Sequence, residues 1–451
     1  MLSKRRVKGF GLGDIDLISH FYFRMALLIY TPTINSRIQY VFEHIFENIL
    51  GISFAFCMNE QDYIAHNGAK ISYGIAAENG GIFFAKHELM LSLEIKKQDF
   101  AFADFNQDKV PFLVDKGIFP FDVFAASFYF LSRYEEYIIP ERDQHQRFEG
   151  KSSLAYQLDL IKRPIIDEWA LAIAAEIQKK YPQFKIAVKK FRFIPTLDID
   201  RPYYFKTDSF LKKNLKKLLL AFKADPFEVY QQVANWDQKF KLKTIYFILM
   251  GNKHPNDSAP SVKNKHFIEA IRTIKSNHQI GIHPSYFSHL NPESISQEKN
   301  NLTEIVGEKI EISRQHYLLL SLPNTYRDLI SMGIKEDFTL AFADMAGFRA
   351  STCTPFFWYD LECEEISSLY LYPTTVMDQT LKKYLSLNPE QAIELVEELM
   401  ENVKSVSGTF ISLWHNESVN DFGAWKGWKI VYQNMLEKAN KIIHSETKIV
   451  N

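Results

Sequence analysis

Cysteine is scarce. Cys57, Cys353 and Cys363 are the only three in 451 residues, and none belongs to a CxxC pair. An odd, unpatterned set excludes a disulfide framework and reads as thiols in a reducing compartment. Long apolar runs are also missing. No stretch reaches the ~18 residues that a membrane-spanning helix needs. Net charge is nearly absent, with 53 Lys and Arg against 54 Asp and Glu for a formal charge of -1. That balance gives no reason to expect nucleic acid or an anionic membrane as a charge-driven partner. Internal repeats and low-complexity tracts are lacking. The basic start (Lys4, Arg5, Arg6, Lys8) resembles the head of a secretory signal. The apolar run Met25–Tyr30 is short, however, and meets Thr31-Pro32 without a small-residue cleavage site. A cytoplasmic protein is expected.

What is present is aromatic. The chain holds 37 Phe and 22 Tyr, and 46% of it is hydrophobic. It can therefore build large cores. Its length predicts two or three domains, although a barrel can absorb about 250 residues as one unit.

Residues 1–24 read as a flexible lead-in. Residues 25–140 read as a small α/β domain of unknown role. It opens with a strand at Ala26–Tyr30 and a helix over 34–49, where Ile38, Val41, Phe42, Ile45 and Ile49 recur at helical spacing. Strands follow near 52–57 and 82–84, then an aromatic helix over 121–137. Residues 141–190 read as a polar linker and a helix from about 164 to 180. From Phe191 strands and helices alternate to about residue 445. Strands fall near 191–197, 244–250, 279–283, 309–313, 338–342, 352–359 and 408–414. Helices fall within 208–238 and near 262–276, 292–307, 322–332 and 389–405. Such alternation predicts a parallel sheet, open or closed into a barrel.

In parallel α/β folds, chemistry sits at the C-terminal ends of the strands. Polar residues fall at four of them. In Thr196-Leu197-Asp198-Ile199-Asp200, two carboxylates two apart on an extended chain share a face. They repel unless a cation or a shared proton intervenes; an Asp after a strand also serves as a helix cap. In Gly281-Ile282-His283-Pro284-Ser285-Tyr286, a His ends an apolar strand, as a metal ligand or a hydrogen-bonded loop residue would. In Ser313-Arg314-Gln315-His316-Tyr317, an Arg is placed to hold a carboxylate by two parallel hydrogen bonds, or to sit on the surface. In Ile411-Ser412-Leu413-Trp414-His415, the last strand ends in a His placed to donate a proton across the site.

In this order the four segments resemble the polysaccharide deacetylases of carbohydrate esterase family 4, the NodB-homology group, over roughly residues 190–440. Thr196 to Asp200 resembles the family's Thr-Phe-Asp-Asp segment, with Ile199 separating the two Asp. Asn277 to His283 is similar to the lead-in of its His-x-x-x-His pair, but Phe287 occupies the second His position and His289 lies two residues further on. Arg314-Gln315-His316-Tyr317 resembles its Arg-x-Pro-Tyr segment, with His316 in place of Pro. Phe119-Pro120-Phe121-Asp122 and Ser132 to Glu136 resemble a variant subgroup with an additional N-terminal α/β domain.

The resemblance implies a distorted (β/α) barrel of the NodB type, preceded by the smaller α/β domain. It implies a carbohydrate substrate and a hydrolase that removes an N-acyl group, acetyl in the family, from a sugar or sugar-containing precursor. A divalent metal, zinc above all, is expected on Asp200, His283 and His316, with His289 the rival third ligand. Asp198 is expected as base, Arg314 as the group that fixes it, and His415 as acid. Tyr317 is expected to offer a backbone N–H to the oxyanion. Tyr286, Tyr317 and Trp414 are candidates to line the sugar site. Arg349, in Gly347-Phe348-Arg349-Ala350, is a second candidate catalytic Arg, or pairs structurally with Asp344 or Asp360. Two alternatives stay open: an amidohydrolase acting on a non-sugar substrate, and a sugar-binding relative without catalysis.

Overall fold

The computed structural model describes residues 27–75, 81–187, 189–204 and 225–449. The expected lead-in and the first part of the helical stretch expected over 208–238 lie outside these residues. The described remainder of that stretch is helix Tyr230–Phe240.

Two parallel sheets organise the chain. The first has strands β1 (Leu27–Tyr30), β2 (Phe54–Cys57), β3 (Lys70–Gly74) and β4 (Ile82–Ala85) in the order β2-β1-β3-β4. Its helices supply an aromatic core. Phe42 stacks on Phe124 with centroids 4.1 Å apart, and Tyr73 and Phe84 meet Phe124 edge-on. Each such fully buried ring stabilises the fold by about 1.5–3 kcal/mol relative to exposure, which accounts for the abundance of Phe. A hairpin follows, β5 (Phe102–Phe105) and β6 (Asp108–Pro111).

The expected aromatic helix over 121–137 is broken in two, Val123–Leu131 and Tyr134–Ile138. Arg133 lies between them in the left-handed region at φ 54°. Its guanidinium donates to Glu135 at 2.7 Å, to Glu136 at 2.8 Å and to the carbonyl of Arg349. These buried ion pairs hold a backbone conformation that a non-glycine residue rarely adopts.

The second sheet carries β7 (Arg192–Ile199), β8 (Ile245–Leu249), β9 (Gln279–His283), β10 (Ile312–Ser313), β11 (Glu336–Asp337), β12 (Phe356–Asp360), β13 (Glu365–Leu371), β14 (Val376–Met377) and β15 (Thr409–His415). The order is β12-β13-β11-β10-β9-β8-β7-β15-β14, and every pairing is parallel except β12 with β13. Among the described residues no pairing joins β12 to β14, so the architecture is mixed α/β with parallel sheets and an open ladder rather than a closed barrel.

The central strands are buried on both faces, which is why β8 and β15 read as near-continuous apolar runs. Gly281 on β9 is required by packing: a Cβ there would meet Phe247 at 2.7 Å and Ile312 at 2.8 Å. Helix Pro389–Ser405 begins with a capping box between Asn388 and Gln391 and a Pro in its first turn. The strand expected over 338–342 is instead the two-residue β11. Asp337 bonds the backbone N–H and hydroxyl of Thr339 at 2.9 and 2.8 Å, which turns the chain. The β12–β13 hairpin replaces the single strand expected over 352–359. One apolar core, from Leu27 to Ile442, runs through both sheets. No helix among the described residues is long and apolar enough to cross a membrane.

Candidate metal centre

The C-terminal ends of β9, β8, β7 and β15 lie side by side in that order. The register pairs His415 with Asp198 and Leu249 with His283, so these polar ends share one edge of the sheet. Asp200, one residue past β7, shares the face of Asp198. The chain after β10 delivers Arg314 and His316. Asp200, His283 and His316 converge, and one donor atom from each lies within 4.8 Å of the others. His289, on helix Tyr286–Leu290, is not part of this group.

The outward nitrogen of each imidazole fixes the role of the inward one. His283 Nδ1 lies 2.6 Å from the carbonyl oxygen of Arg314. A carbonyl only accepts, so Nδ1 carries the proton and Nε2 presents a lone pair. That Nε2 faces Asp200 Oδ1 at 3.5 Å and Asp198 Oδ2 at 3.6 Å. His316 Nδ1 lies 3.1 Å from Asp257 Oδ1, and its Nε2 faces Asp200 Oδ2 at 3.4 Å. Protein acceptors behind each imidazole are the usual outer shell of a metal-ligating His. Asp200 Oδ1 is buried and accepts no hydrogen bond. Two imidazoles and one carboxylate, one oxygen of which is buried and unsatisfied, fit a divalent cation with a free coordination position.

The charges agree. Burial would raise the pKa of Asp200, but the surrounding imidazoles, the charge of His316 foremost, outweigh it and hold it well below the usual carboxylate range. Burial lowers that of His316, yet Asp200 and Asp257 outweigh it and bring it up to about 9.

Asp198 is held from behind. Arg314, fully buried, donates through Nη1 to Asp198 Oδ1 at 2.9 Å and to Thr196 Oγ1 at 2.6 Å. Its remaining donors reach Phe338 O at 3.1 Å and Thr374 Oγ1 at 3.1 Å. Across the site, His415 Nε2 lies 3.7 Å from Asp200 Oδ2, and its Nδ1 lies 2.8 Å from Asp378 Oδ1. Burial lowers the pKa of His415, but Asp378 first, then Asp200 and Asp198, raise it to about 10. Ser418 and the backbone N–H of His415 also donate to Asp378.

Sequence reasoning missed two residues. Asp378 follows β14 and repeats the pattern of an acid at a strand end, but a two-residue strand has no periodicity to read. Asp257 lies in the polar loop after β8. It accepts from the backbone N–H groups of Tyr286 at 2.7 Å and Phe287 at 3.0 Å, tying the start of that helix to His316.

The other expected residues divide between the rim and the core. Tyr286 and Tyr317 are half-buried at the rim, 5.4 Å apart and edge to face, and Tyr317 lies 4.8 Å from the His316 ring. Tyr317 has φ 60°. Trp414 is fully buried and packs edge-on against Tyr432 at 5.2 Å. Period-two alternation along β15 turns it away from the face of His415, so it lies in the core rather than along a sugar site. Arg349 is not brought to Asp198 or Asp200. Its Nε and Nη2 grip Glu136 at 2.9 and 2.6 Å, and Nη1 donates to Ala341 O at 2.9 Å. The structural partners expected for it are also otherwise engaged: Asp344 accepts from Gly150 N–H at 2.9 Å, and Asp360 pairs with Arg327 at 2.7 Å.

Residues 27–182 match the model of DUF7033, a family of unknown function. No curated protein matches the chain. Solved structures similar to it include a protein from Mycobacterium smegmatis described as a polysaccharide deacetylase, at 15% identity over 56% of this chain and 84% of that one, TM-score 0.38. A family 4 carbohydrate esterase from Streptomyces lividans shares 9% identity over 57% and 91%, TM-score 0.31. The polysaccharide deacetylase Bc1974 from Bacillus cereus shares 12% over 56% and 88%, TM-score 0.30. These likenesses are distant, and the chemistry follows from this chain's own residues.

Proposed function

We propose that this chain is a metal-dependent hydrolase that removes an N-acyl group, acetyl in the simplest case, from a sugar. The observation that carries the reading is the convergence of Asp200, His283 and His316, each His backed by a protein acceptor. A divalent cation bound there, zinc by preference for this donor set, supplies Lewis acidity toward water and an acyl oxygen.

The chain's residues do the rest. Asp198 keeps Oδ1 on Arg314 and leaves Oδ2 toward the site, where it accepts the proton of the attacking water. Arg314 keeps that carboxylate oriented. The backbone N–H of Tyr317, next to His316, is the proposed donor to the developing oxyanion. His415, kept protonated by Asp378, hands a proton to the leaving amine. The Asp378–His415 pair favours a catalytic site over a sugar-binding relative, since binding alone needs no acid held in this way.

The test is acetate release from N-acetylated sugars by protein stripped of metal and then reloaded with zinc. Turnover that appears on reloading supports the reading. Tight zinc binding at these three residues with no turnover on any N-acetylated sugar overturns it.

A further inference from the structure

Residues 141–190 read as a connection in the sequence, yet part of this stretch reaches the metal centre. Asp143 closes a tight loop. Its backbone N–H donates to Arg147 O at 2.9 Å, and its Oδ1 accepts from the N–H groups of His145 at 2.8 Å and Arg147 at 2.9 Å. Gln146 completes the turn at φ 63°. Arg147 then fastens the loop to the large-sheet half. Buried at 5% exposure, it donates to Tyr317 O at 2.9 Å, to the Tyr384 hydroxyl at 2.7 Å and to Asp143 Oδ2 at 2.8 Å.

The loop is thus held by Asp143 and Arg147. His145 contributes its backbone N–H and a 3.4 Å contact between its Nε2 and the Gln144 side-chain amide, and its ring is left at the tip, half-buried. That ring lies 5.0 Å from the Tyr317 ring and 5.8 Å from Tyr286, with Nδ1 3.3 Å from the Tyr286 hydroxyl. Tyr317 in turn lies against His316. His145 therefore stands one aromatic ring out from a metal ligand, on a segment inside the 27–182 match.

We propose that His145 is a substrate-binding residue through which the N-terminal segment completes the sugar site, with His145, Tyr286 and Tyr317 receiving the pyranose next to the one bearing the acyl group. The chemistry suits a sugar. Half-buried rings accept the C–H face of a pyranose, while the Tyr hydroxyls and an imidazole nitrogen meet its hydroxyls. Burial, then Arg147, lowers the His145 pKa, so the neutral ring offers one donor and one acceptor. The substrate class is taken from the proposed function, but the claim concerns binding.

The test uses the full chain supplied with zinc, titrated calorimetrically with N,N′,N″-triacetylchitotriose, with acetate release from the same trimer measured alongside. His145→Ala should raise both Kd and KM about three- to tenfold, as loss of one aromatic contact predicts. Its kcat should stay within about twofold and its Tm within about 2 °C, since a half-buried tip residue carries little of the fold. His145→Phe restores the ring and should recover most of the affinity. Wild-type Kd and KM in His145→Ala would overturn the proposal, and so would a wild-type protein that does not bind the trimer. Trimer binding that depends on His145, with no acetate released, would leave this inference standing and overturn the hydrolase reading.

Discussion

The chain buries two clusters of charge, and their polar atoms are used differently. In the first, Arg133, Glu135, Glu136 and Arg349 sit between the N-terminal segment and the large sheet, and the two guanidinium groups meet the two carboxylates. Glu135 also accepts from Leu154 N–H at 2.8 Å. The cluster is matched in charge and saturated in hydrogen bonds. In the second, four carboxylates, Asp198, Asp200, Asp257 and Asp378, share one guanidinium, that of Arg314 on Asp198, and the imidazoles of His283, His316 and His415 turn Nε2 toward Asp198 or Asp200. One carboxylate oxygen there has no hydrogen-bond partner. A saturated buried cluster orders a fold. A buried cluster with surplus negative charge and convergent lone pairs has the chemistry to take a cation. Burial and charge alone do not separate the two; the count of unmet acceptors does.

The largest expected effect would break the first cluster. Arg349→Ala leaves Glu136 with half its partners and should destabilise the chain by about 3–5 kcal/mol in denaturant unfolding. A loss below about 1 kcal/mol, with a large fall in kcat, would return Arg349 to the catalytic site.

The second prediction tests the opposite property of the second cluster. Zinc at 100 times its Kd should stabilise the chain by about 2.7 kcal/mol, read as a rise in Tm. His283→Ala should abolish the rise and most of the bound zinc in elemental analysis. Asp257→Asn should weaken zinc binding about 10- to 100-fold by releasing the orientation of His316. Unchanged stoichiometry in His283→Ala would show that the cation sits elsewhere.

The third concerns pH. His415 is raised from 6.5 to about 10, so the stability contributed by its protonated form is complete below pH 6.5 and is lost as pH rises through about 10. Asp378→Asn removes the leading attraction. The alkaline limb of kcat/KM should move to lower pH by about one unit or more. A limb that stays in place would rule out His415 as the acid.

The smallest effect is expected at Trp414. Trp414→Phe should cost about 1 kcal/mol of stability and leave KM for an N-acetylated sugar within about twofold. A large rise in KM would mean that this ring reaches substrate after all.

Much of this chain was legible as pattern. The alternation of apolar strands and amphipathic helices after Phe191 announces a parallel sheet, because burial on both faces leaves a run of apolar residues in the sequence itself. The same local signal placed Asp198, Asp200, His283 and His415 at strand ends, and period-two alternation put the two Asp on one face. Local pattern stops where contacts are long-range. Asp257 and Asp378 are joined to the site by hydrogen bonds to residues 59 and 37 positions away. The break at Arg133 follows from partners that include the Arg349 carbonyl, 216 positions on. Trp414 and His415 are adjacent in sequence and look equally available; only the packing of Tyr432 against one face of β15 assigns the first to the core and leaves the second to the site. The sequence by itself determined which residues could do chemistry, since residue type and strand period are local properties. Tertiary structure alone decided which of them meet, which acceptors stay unpaired, and that a loop read as a linker brings His145 to the rim, because those outcomes depend on distances across the fold that no local window contains.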